Sequence, residues 1–213
     1  MSCEGLPGTD AAETGHIYEL DKQTVKKWFG KGRYGRVGTI GEGSCFFHSL
    51  AFAMNLETKK NSWYPMLSIS DKKQFIKDWR HSFADSLSPE RFQRLKAKKS
   101  YEEFKKDLAD PHKWADEPII LHVARMLNTN IMFLDMRSKK PYCGIHNDAV
   151  LYRPDLETVH TILVAWVNRQ HFEPIVRIES VQGNLRTMFN ATDSDDRALL
   201  DRLMNQYSDA CGL

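Results

Sequence analysis

Residues 41–48, Gly-Glu-Gly-Ser-Cys-Phe-Phe-His, form the stretch around which the chain is organised. Its two glycines allow the backbone to turn tightly and to approach a ligand closely. Ser44 is a favourable N-cap residue, and apolar side chains follow at helical spacing as far as Asn55. Cys45 is therefore expected in the first turn of a helix, where backbone N–H groups and the helix dipole favour an anion. A thiol in this position ionises more easily, and the thiolate is the nucleophilic form.

A buried structural cysteine is the alternative interpretation, since free cysteines are often buried as small apolar residues. A nucleophilic cysteine needs a base, and the base needs an orienting group. The sequence offers eight histidines. One of them, His48, lies one helical turn after Cys45, but a helical side chain leans back over its own turn. We predict that His48 is structural, so that Asn or Arg would be tolerated in its place.

His171 is the strongest candidate base. The apolar run 161–167 predicts a central strand, and residues 171–178 predict a second strand joined to it by a tight turn. His171 opens this second strand, and Glu173 follows two residues later on the same face. Its carboxylate can therefore reach one ring nitrogen while the other nitrogen points into a cleft. A surface histidine at a strand end is the alternative interpretation.

The apolar pattern predicts an α+β fold in which a small central β-sheet is packed between helices. We expect helices at 21–29, 45–55, from 70, at 90–98, 101–108, 116–127 and 193–207, and strands at 130–136, 161–167 and 171–178. Segment 63–110 is helical but has few apolar residues after Phe83, so it is expected to form an arm over the core. Residues 1–16 are expected to be a flexible leader, and 17–210 a single domain.

The composition describes a soluble globular protein, with 41% hydrophobic and 27% charged residues among 213. The net charge of +2 is too small to indicate a polyanionic partner. Residues 72–106 are more basic, with eleven Lys or Arg against five Asp or Glu. We interpret this excess as the solvated face of helices. A nucleic-acid-binding protein is the weaker alternative, because helical periodicity explains the aromatic residues in this stretch.

The four cysteines, at positions 3, 45, 143 and 211, have no CxxC or CxxH spacing. Neither a metal site built from a cysteine cluster nor a disulfide framework is expected. The first residues are small and polar, unlike a signal peptide, and no apolar run is long enough to span a membrane. We therefore expect a cytoplasmic protein with free thiols.

Three segments together resemble the motifs of the ovarian tumour (OTU) family of cysteine proteases, which are mostly deubiquitinases. Residues 42–48 stand in the frame of the family's Asp-Gly-Asn-Cys-Leu-Phe-Arg signature. Residues 114–131 match its second signature, a Trp and an acidic pair before a helix that leads into a strand. Residues 171–173, His-Phe-Glu, fit its third signature, His-Tyr-Asn/Asp. The resemblance spans about residues 35–178 and implies a papain-like OTU fold.

The resemblance implies a thiol-dependent reaction that needs no metal or cofactor. Cys45 would attack the carbonyl of the C-terminal Gly of ubiquitin or a ubiquitin-like modifier in an isopeptide bond. His171 would accept the thiol proton and later protonate the leaving lysine amine, and Glu173 would orient the imidazole. Water would then clear the thioester.

The resemblance also implies a loop for the oxyanion, formed by backbone N–H groups around Glu42, Gly43 and Ser44. Weaker candidates for substrate contacts are three residues of the second signature: Trp114, Asp116 and Glu117. Expected partners are ubiquitin or a related modifier and its conjugates. No nucleic acid or membrane partner is expected, and the chain is expected to be a monomer.

The chain departs from the family signatures at Glu42, Ser44 and Glu173, where Asp, Asn, and Asn or Asp are usual. Such departures are expected of a divergent member, for example one from a virus or pathogen that acts in the host cytoplasm. They also leave open a second interpretation, a ubiquitin-binding module of the same fold with impaired catalysis. Retention of both Cys45 and His171 argues for the enzyme.

Overall fold

The structure, a computed structural model, describes residues 11–57, 62–143, 160–179 and 184–211. The helices of this part of the chain are α1 Lys22–Trp28, α2 Cys45–Ala53, α3 Ile69–Asp85, α4 Pro89–Gln93, α5 Tyr101–Ala109, α6 Glu117–Leu127 and α7 Ser194–Cys211. The strands are β1 Ile17–Glu19, β2 Tyr34–Val37, β3 Thr129–Asp135, β4 Lys140–Pro141, β5 His160–Val167, β6 His171–Ile178, β7 Leu185–Arg186 and β8 Met188–Asn190.

The strands form one mixed sheet in the order β1-β2-β6-β5-β3-β4, with β7 paired to β6 and β8 paired to β5. All pairs are antiparallel except β3 and β5. Helices α2, α3, α5 and α6 contribute to a buried cluster on one side, and α1 and α7 to a second cluster. The predicted α+β class, with a central sheet packed between helices, is confirmed.

The predicted strands match β3, β5 and β6, and β5 is central as expected. The other strands have at most four residues, and β1, β4, β7 and β8 contain only two or three each. A strand of this length is too short to show an alternating pattern. The sheet is therefore wider than the sequence indicated.

The termini of helix α6 follow the local signals in the sequence. Asp116 is its N-cap residue and accepts a hydrogen bond from the Ile119 N–H at 3.2 Å. Asn128 ends the helix in the left-handed conformation, with φ of 48°, which Asn tolerates better than most residues. The helix therefore enters strand β3 where the sequence predicted.

Segment 63–110 contributes to the core itself, which corrects the expectation of an arm that only covers it. Phe104 and Leu108 of α5 are fully buried in the cluster that contains Phe46 and Phe47 of α2. The apolar residues of this segment are few, but their helical spacing places them on one face.

Residues 11–16, which were expected to belong to a flexible leader, pack against the sheet. Ala12 is buried, and Thr14 forms a bridge with Gly38 beside β2. A side chain at position 38 would collide with the Glu13 carbonyl, so Gly38 permits this close approach. The rest of the expected leader, residues 1–10, lies outside the described residues.

Cys143 and Cys211 form a disulfide, which corrects the expectation that the chain has none. They are 68 residues apart in sequence. Cys143 follows the edge strand β4, and Cys211 ends helix α7, so only the fold brings them together. The cytoplasmic location stays a prediction.

None of the helices in the described ranges is long and apolar enough to cross a membrane. Within the same ranges, no group of three or more His, Cys, Asp or Glu side chains is arranged to hold a metal ion.

Candidate active site

The loop before Cys45 has two consecutive residues in the left-handed region, Glu42 with φ of 68° and Gly43 with φ of 86°. A Cβ atom at Gly43 would overlap the His112 carbonyl, so glycine is required there. Gly41 has open space around it and an ordinary φ. Of the two glycines in residues 41–48, the backbone therefore requires glycine only at position 43. The other left-handed position of the loop is occupied by a non-glycine residue, Glu42, and is strained.

Ser44 precedes helix α2, but its side chain makes no capping hydrogen bond, contrary to the sequence prediction. Its hydroxyl donates to the Pro111 carbonyl at 2.6 Å and accepts from the Arg80 guanidinium at 3.1 Å. Ser44 therefore connects residues 41–44, which we name the nucleophile loop after the predicted role of Cys45, to the segment that follows α5.

Arg80 of α3 is fully buried below this loop. Its guanidinium donates to the carbonyls of Leu108 at 2.9 Å, Asp107 at 2.8 Å and Lys113 at 2.9 Å. It also stacks on the Phe47 ring, 4.4 Å from the ring centroid. Burial lowers the pKa of Arg80 to about 10, so it stays charged at neutral pH.

Sequence reasoning missed Arg80. The available signal was its position four residues after Ile76 and three before Phe83, on the buried side of the predicted helix. An arginine on an apolar face indicates a buried charge with its own set of acceptors.

Cys45 lies in the first turn of α2, as predicted, and is only 5% exposed. Burial raises the pKa of its thiol, and the Glu173 charge adds to the rise. Backbone hydrogen bonds from Phe172, Phe46 and Cys45 itself oppose it. The prediction that this thiol ionises more easily is thus wrong in sign for the free protein, because loss of hydration outweighs the favourable helix terminus.

His171 begins β6 and is partly exposed, with 13% of its side chain accessible. Its Nε2 lies 3.6 Å from Glu173 Oε1, so the predicted pair is together but beyond hydrogen-bond distance. Burial, followed by the positive charge of Arg36, lowers the pKa of His171. At neutral pH the imidazole is therefore mainly uncharged.

Glu173 is fully buried, and both of its carboxylate oxygens have strong donors that the sequence did not reveal. Oε2 accepts from the Arg36 guanidinium of β2 at 2.6 Å, and Oε1 accepts from the Ala12 N–H at 2.6 Å. Burial still raises the pKa of Glu173, against the opposing effects of these two donors. The leader residue Ala12 and strand β2 thus complete the surroundings of this carboxylate.

Phe172, between the histidine and the glutamate, connects β6 to two neighbouring elements. Its carbonyl accepts from the Thr39 hydroxyl at 2.7 Å. It also lies 2.9 Å from the Ser49 hydroxyl of α2, whose one proton is shared with the Cys45 carbonyl at 2.8 Å. Thr39 Oγ1 also lies 3.2 Å from His171 Nε2. The start of β6 is thereby fixed against the first turns of the nucleophile helix. No sequence motif singled out Thr39, which lies in an extended stretch without periodicity.

His48 has the structural setting that the sequence predicted. It is buried, and its Nδ1 is hydrogen-bonded to the Tyr64 hydroxyl. Burial, together with the positive charges of Lys72 and Lys73, lowers the pKa of His48 to about 3. A histidine held neutral in this way and committed to Tyr64 is a poor candidate for the base.

The three weaker substrate candidates follow the segment that packs on the nucleophile loop. Trp114 is 53% exposed. Asp116 caps α6 and also accepts from Lys99 Nζ at 2.7 Å, so its carboxylate is already engaged. Glu117 lies in the first turn of α6 and is partly buried. Their contact with a substrate stays a prediction.

A cleft of about 300 Å³ opens beside the nucleophile loop. Residues of the loop, of α3 and of the segment after α5 line it, among them Glu42, Ser44, Lys73 and His112. Glu42 is paired with Lys73 at 2.8 Å, and both residues line this cleft.

No protein-family model and no curated protein sequence matches this chain. Among solved structures, an ovarian tumour (OTU) domain in complex with ubiquitin is similar, with a TM-score of 0.51 and 14% identity. That alignment covers 94% of this chain and 98% of the other. The OTUD1 OTU domain has a TM-score of 0.47 at 18% identity, covering 67% of this chain and 85% of its own. The Hazara virus OTU bound to ubiquitin has a TM-score of 0.42 at 17% identity, and the alignment covers 69% of this chain and 83% of the other.

Sequence identity this low shows the fold and nothing finer. The nearly complete coverage in the first comparison includes both the sheet and the helices around the site. The fold that the three sequence segments implied is confirmed: the chain is a divergent protein with the OTU fold.

Proposed function

We propose that the chain is a thiol-dependent isopeptidase that removes ubiquitin or a ubiquitin-like modifier from proteins. The observation that carries this proposal is the junction between α2 and β6. There the first turn of the helix, with Cys45, meets the backbone of Phe172, the residue that follows His171. Helix α2, which begins with Cys45, thus packs against strand β6, which begins with His171, although the two residues are more than 120 positions apart.

Cys45 is the proposed nucleophile, and His171 is the proposed base. Since burial raises the pKa of the thiol and lowers that of the imidazole, the free protein holds a neutral thiol beside a neutral ring. The proton then moves from sulfur to the ring as sulfur attacks the carbonyl carbon, and the imidazolium returns it to the leaving amine. Glu173, 3.6 Å from the ring, supplies negative charge that favours the imidazolium.

The proposed oxyanion site is the backbone of residues 42–45 at the start of α2. The first N–H groups of a helix have no partner within the helix, and here they follow a loop fixed by Gly43 and Arg80. Trp114, Asp116 and Glu117 remain the proposed contacts for the modifier. The Asp116 carboxylate also caps α6 and accepts from Lys99.

The second candidate is a ubiquitin-binding module of the same fold with impaired catalysis. The raised pKa of Cys45 favours it, since less of the nucleophilic thiolate is then present at neutral pH. The two candidates predict the same binding and opposite chemistry.

A panel of di-ubiquitins separates the two candidates. We expect wild-type protein to cleave at least one linkage and the Cys45→Ala variant to bind the same chains without cleaving them. Binding by wild-type protein with no cleavage of any linkage would favour the impaired module. Neither binding nor cleavage would contradict both candidates.

A further inference from the structure

An arginine-rich cavity at α4 and α6 and the exposed apolar side chains near the start of α3 have no feature that identifies an occupant. The hydroxyl of Thr39 has a definite set of partners at the site, and its chemistry can be followed atom by atom.

We propose that Thr39 is the positioning residue that selects the tautomer of His171, accepting the hydrogen bond from its Nε2–H. This inference rests on the proposed function, in which His171 is the base. Thr39 follows β2 and is only 8% exposed, so water competes little for its hydroxyl.

The direction of the hydrogen bond follows from counting protons. A threonine hydroxyl has one proton and two lone pairs. Its proton goes to the Phe172 carbonyl, which can only accept and is the nearer of the two partners, at 2.7 Å against 3.2 Å. Towards His171, Thr39 Oγ1 therefore presents a lone pair, and the ring nitrogen that faces it must carry the hydrogen.

The neighbouring carboxylate favours the same tautomer. Glu173 Oε1 lies 3.6 Å from the same Nε2, and an N–H there is attracted to the negative charge whereas a lone pair is repelled. Oε1 also accepts from the Ala12 N–H at 2.6 Å and is too far from the ring for a hydrogen bond. The carboxylate thus acts on the ring through its charge, and Thr39 makes the direct contact.

The two ring nitrogens of His171 therefore have different roles in the reaction. With hydrogen held on Nε2, the lone pair of the neutral ring is on Nδ1, which is then the atom that accepts the Cys45 proton. In the imidazolium both nitrogens carry hydrogen, and the Nε2–H stays bound to Thr39 while Nδ1–H is given to the leaving amine. The sequence predicted that Glu173 alone orients the imidazole, whereas here Thr39 makes the direct hydrogen bond to it.

The test compares Thr39→Val, which removes the hydroxyl at nearly constant shape, with Thr39→Ser, which keeps it. Thr161→Val is the matched control, because Thr161 is also buried in the sheet and its hydroxyl has no hydrogen-bond partner among the described residues. We expect Thr39→Val to lower kcat on a ubiquitin-derived fluorogenic substrate by on the order of a hundredfold with little change in KM. Thr39→Ser and Thr161→Val should stay close to wild type.

Nitrogen-15 NMR of His171 in the protein without substrate reads the tautomer directly. We expect the Nε2–H form in wild type and a mixture of forms in Thr39→Val. The Nδ1–H form in wild type, or wild-type kcat in Thr39→Val, would overturn the inference. Because the wild-type tautomer is measured without any variant, the result stands even if Thr39→Val fails to fold. If wild type does not act on ubiquitin, the proposed function fails and the tautomer still decides the role of Thr39.

Discussion

The two sides of the site are each held by a buried arginine, but the partners of the two guanidiniums differ. On the histidine side, Arg36 is paired at 2.6 Å with the carboxylate of Glu173. On the nucleophile side, the hydrogen bonds of Arg80 go to backbone carbonyls and the Ser44 hydroxyl. The side-chain carboxylates of Asp110 and Asp107 add a favourable charge interaction with Arg80. Arg36 is thus part of an ion pair, whereas Arg80 holds separate backbone segments together through their carbonyls.

The difference determines how each side should respond to change. An ion pair can be replaced as a unit, because removing both charges leaves no buried charge behind. A guanidinium that serves several carbonyls has no single partner to remove with it, so its loss leaves acceptors unsatisfied. We therefore expect the histidine side to tolerate a double substitution, and the nucleophile side to tolerate no simple replacement of Arg80.

The largest effect is expected from removing the reactive groups themselves. Cys45→Ala and His171→Ala should each lower isopeptide cleavage by on the order of a thousandfold or more, because each removes one half of the proton-transfer pair. Cleavage of di-ubiquitin measures the loss, and circular dichroism controls for folding. Cleavage by Cys45→Ala would direct attention to another cysteine and contradict the assignment on the nucleophile side.

Arg80→Met should come next and should affect both stability and activity. The carbonyls of Asp107, Leu108 and Lys113 would lose their donor, and we expect the free energy of unfolding to fall by on the order of 3 kcal/mol. Urea unfolding measures this change, with the exposed Arg94→Met as the matched control. Arg80→Lys should be intermediate, since an ammonium cannot reproduce the planar fork. Wild-type stability in Arg80→Met would mean that the loop does not depend on this residue.

The Arg36 and Glu173 pair should give a smaller net effect when both are replaced. Arg36→Met alone leaves a buried carboxylate and should cost about 3–5 kcal/mol of unfolding free energy, and Glu173→Leu alone leaves a buried guanidinium. The double variant should be more stable than the sum of the two losses indicates. It should also cleave faster than either single variant, because neither an unpaired carboxylate nor an unpaired guanidinium is then left buried near His171. Strict additivity would contradict the description of Arg36 and Glu173 as one unit.

The smallest effect on activity is expected from His48→Asn, which should leave most cleavage intact. The pKa of His48 is lowered to about 3 in the folded protein from the ordinary 6.5, so protonation favours unfolding. Its contribution to stability is therefore complete above pH 6.5 and is lost as pH falls towards 3, by about 2 kcal/mol near pH 5. Thermal unfolding between pH 7 and pH 4 should show less loss in His48→Asn than in wild type or in the exposed control His81→Asn.

His48→Arg was predicted from the sequence to be tolerated, but the structure changes this expectation. The side chain would be buried near Lys72, Lys73 and Arg80, where another positive charge is unfavourable. It should destabilise the fold, although the family often has Arg in this frame. Activity of His48→Asn as low as that of His171→Ala would mean that the wrong histidine was chosen.

The sequence predicted the fold well wherever local signals determine an element. The cap at Asp116, the left-handed Asn128 and the apolar run of β5 each depend on neighbouring residues only. The nucleophile helix and the strand that carries His171 were found for the same reason. The resemblance to OTU motifs then supplied the arrangement that local signals cannot supply.

The parts that the sequence did not predict depend on contacts between distant segments. Ala12 is 161 residues from Glu173, and Arg36 is 137 residues from it. No local pattern shows such a contact, and the leader therefore looked flexible. The shift in the pKa of Cys45 was predicted with the wrong sign for a related reason. Burial depends on the packing of the whole site, whereas a helix terminus can be located from the sequence.

The most direct test of the central claim is a ubiquitin whose C-terminus carries a thiol-reactive group, followed by mass spectrometry of the adduct. The account predicts one adduct on Cys45, its loss in Cys45→Ala and a much slower reaction in His171→Ala. Prior removal of Cys3 by Cys3→Ser should change nothing. An adduct on Cys3, or equally fast reaction of Cys45 with and without His171, would contradict the account.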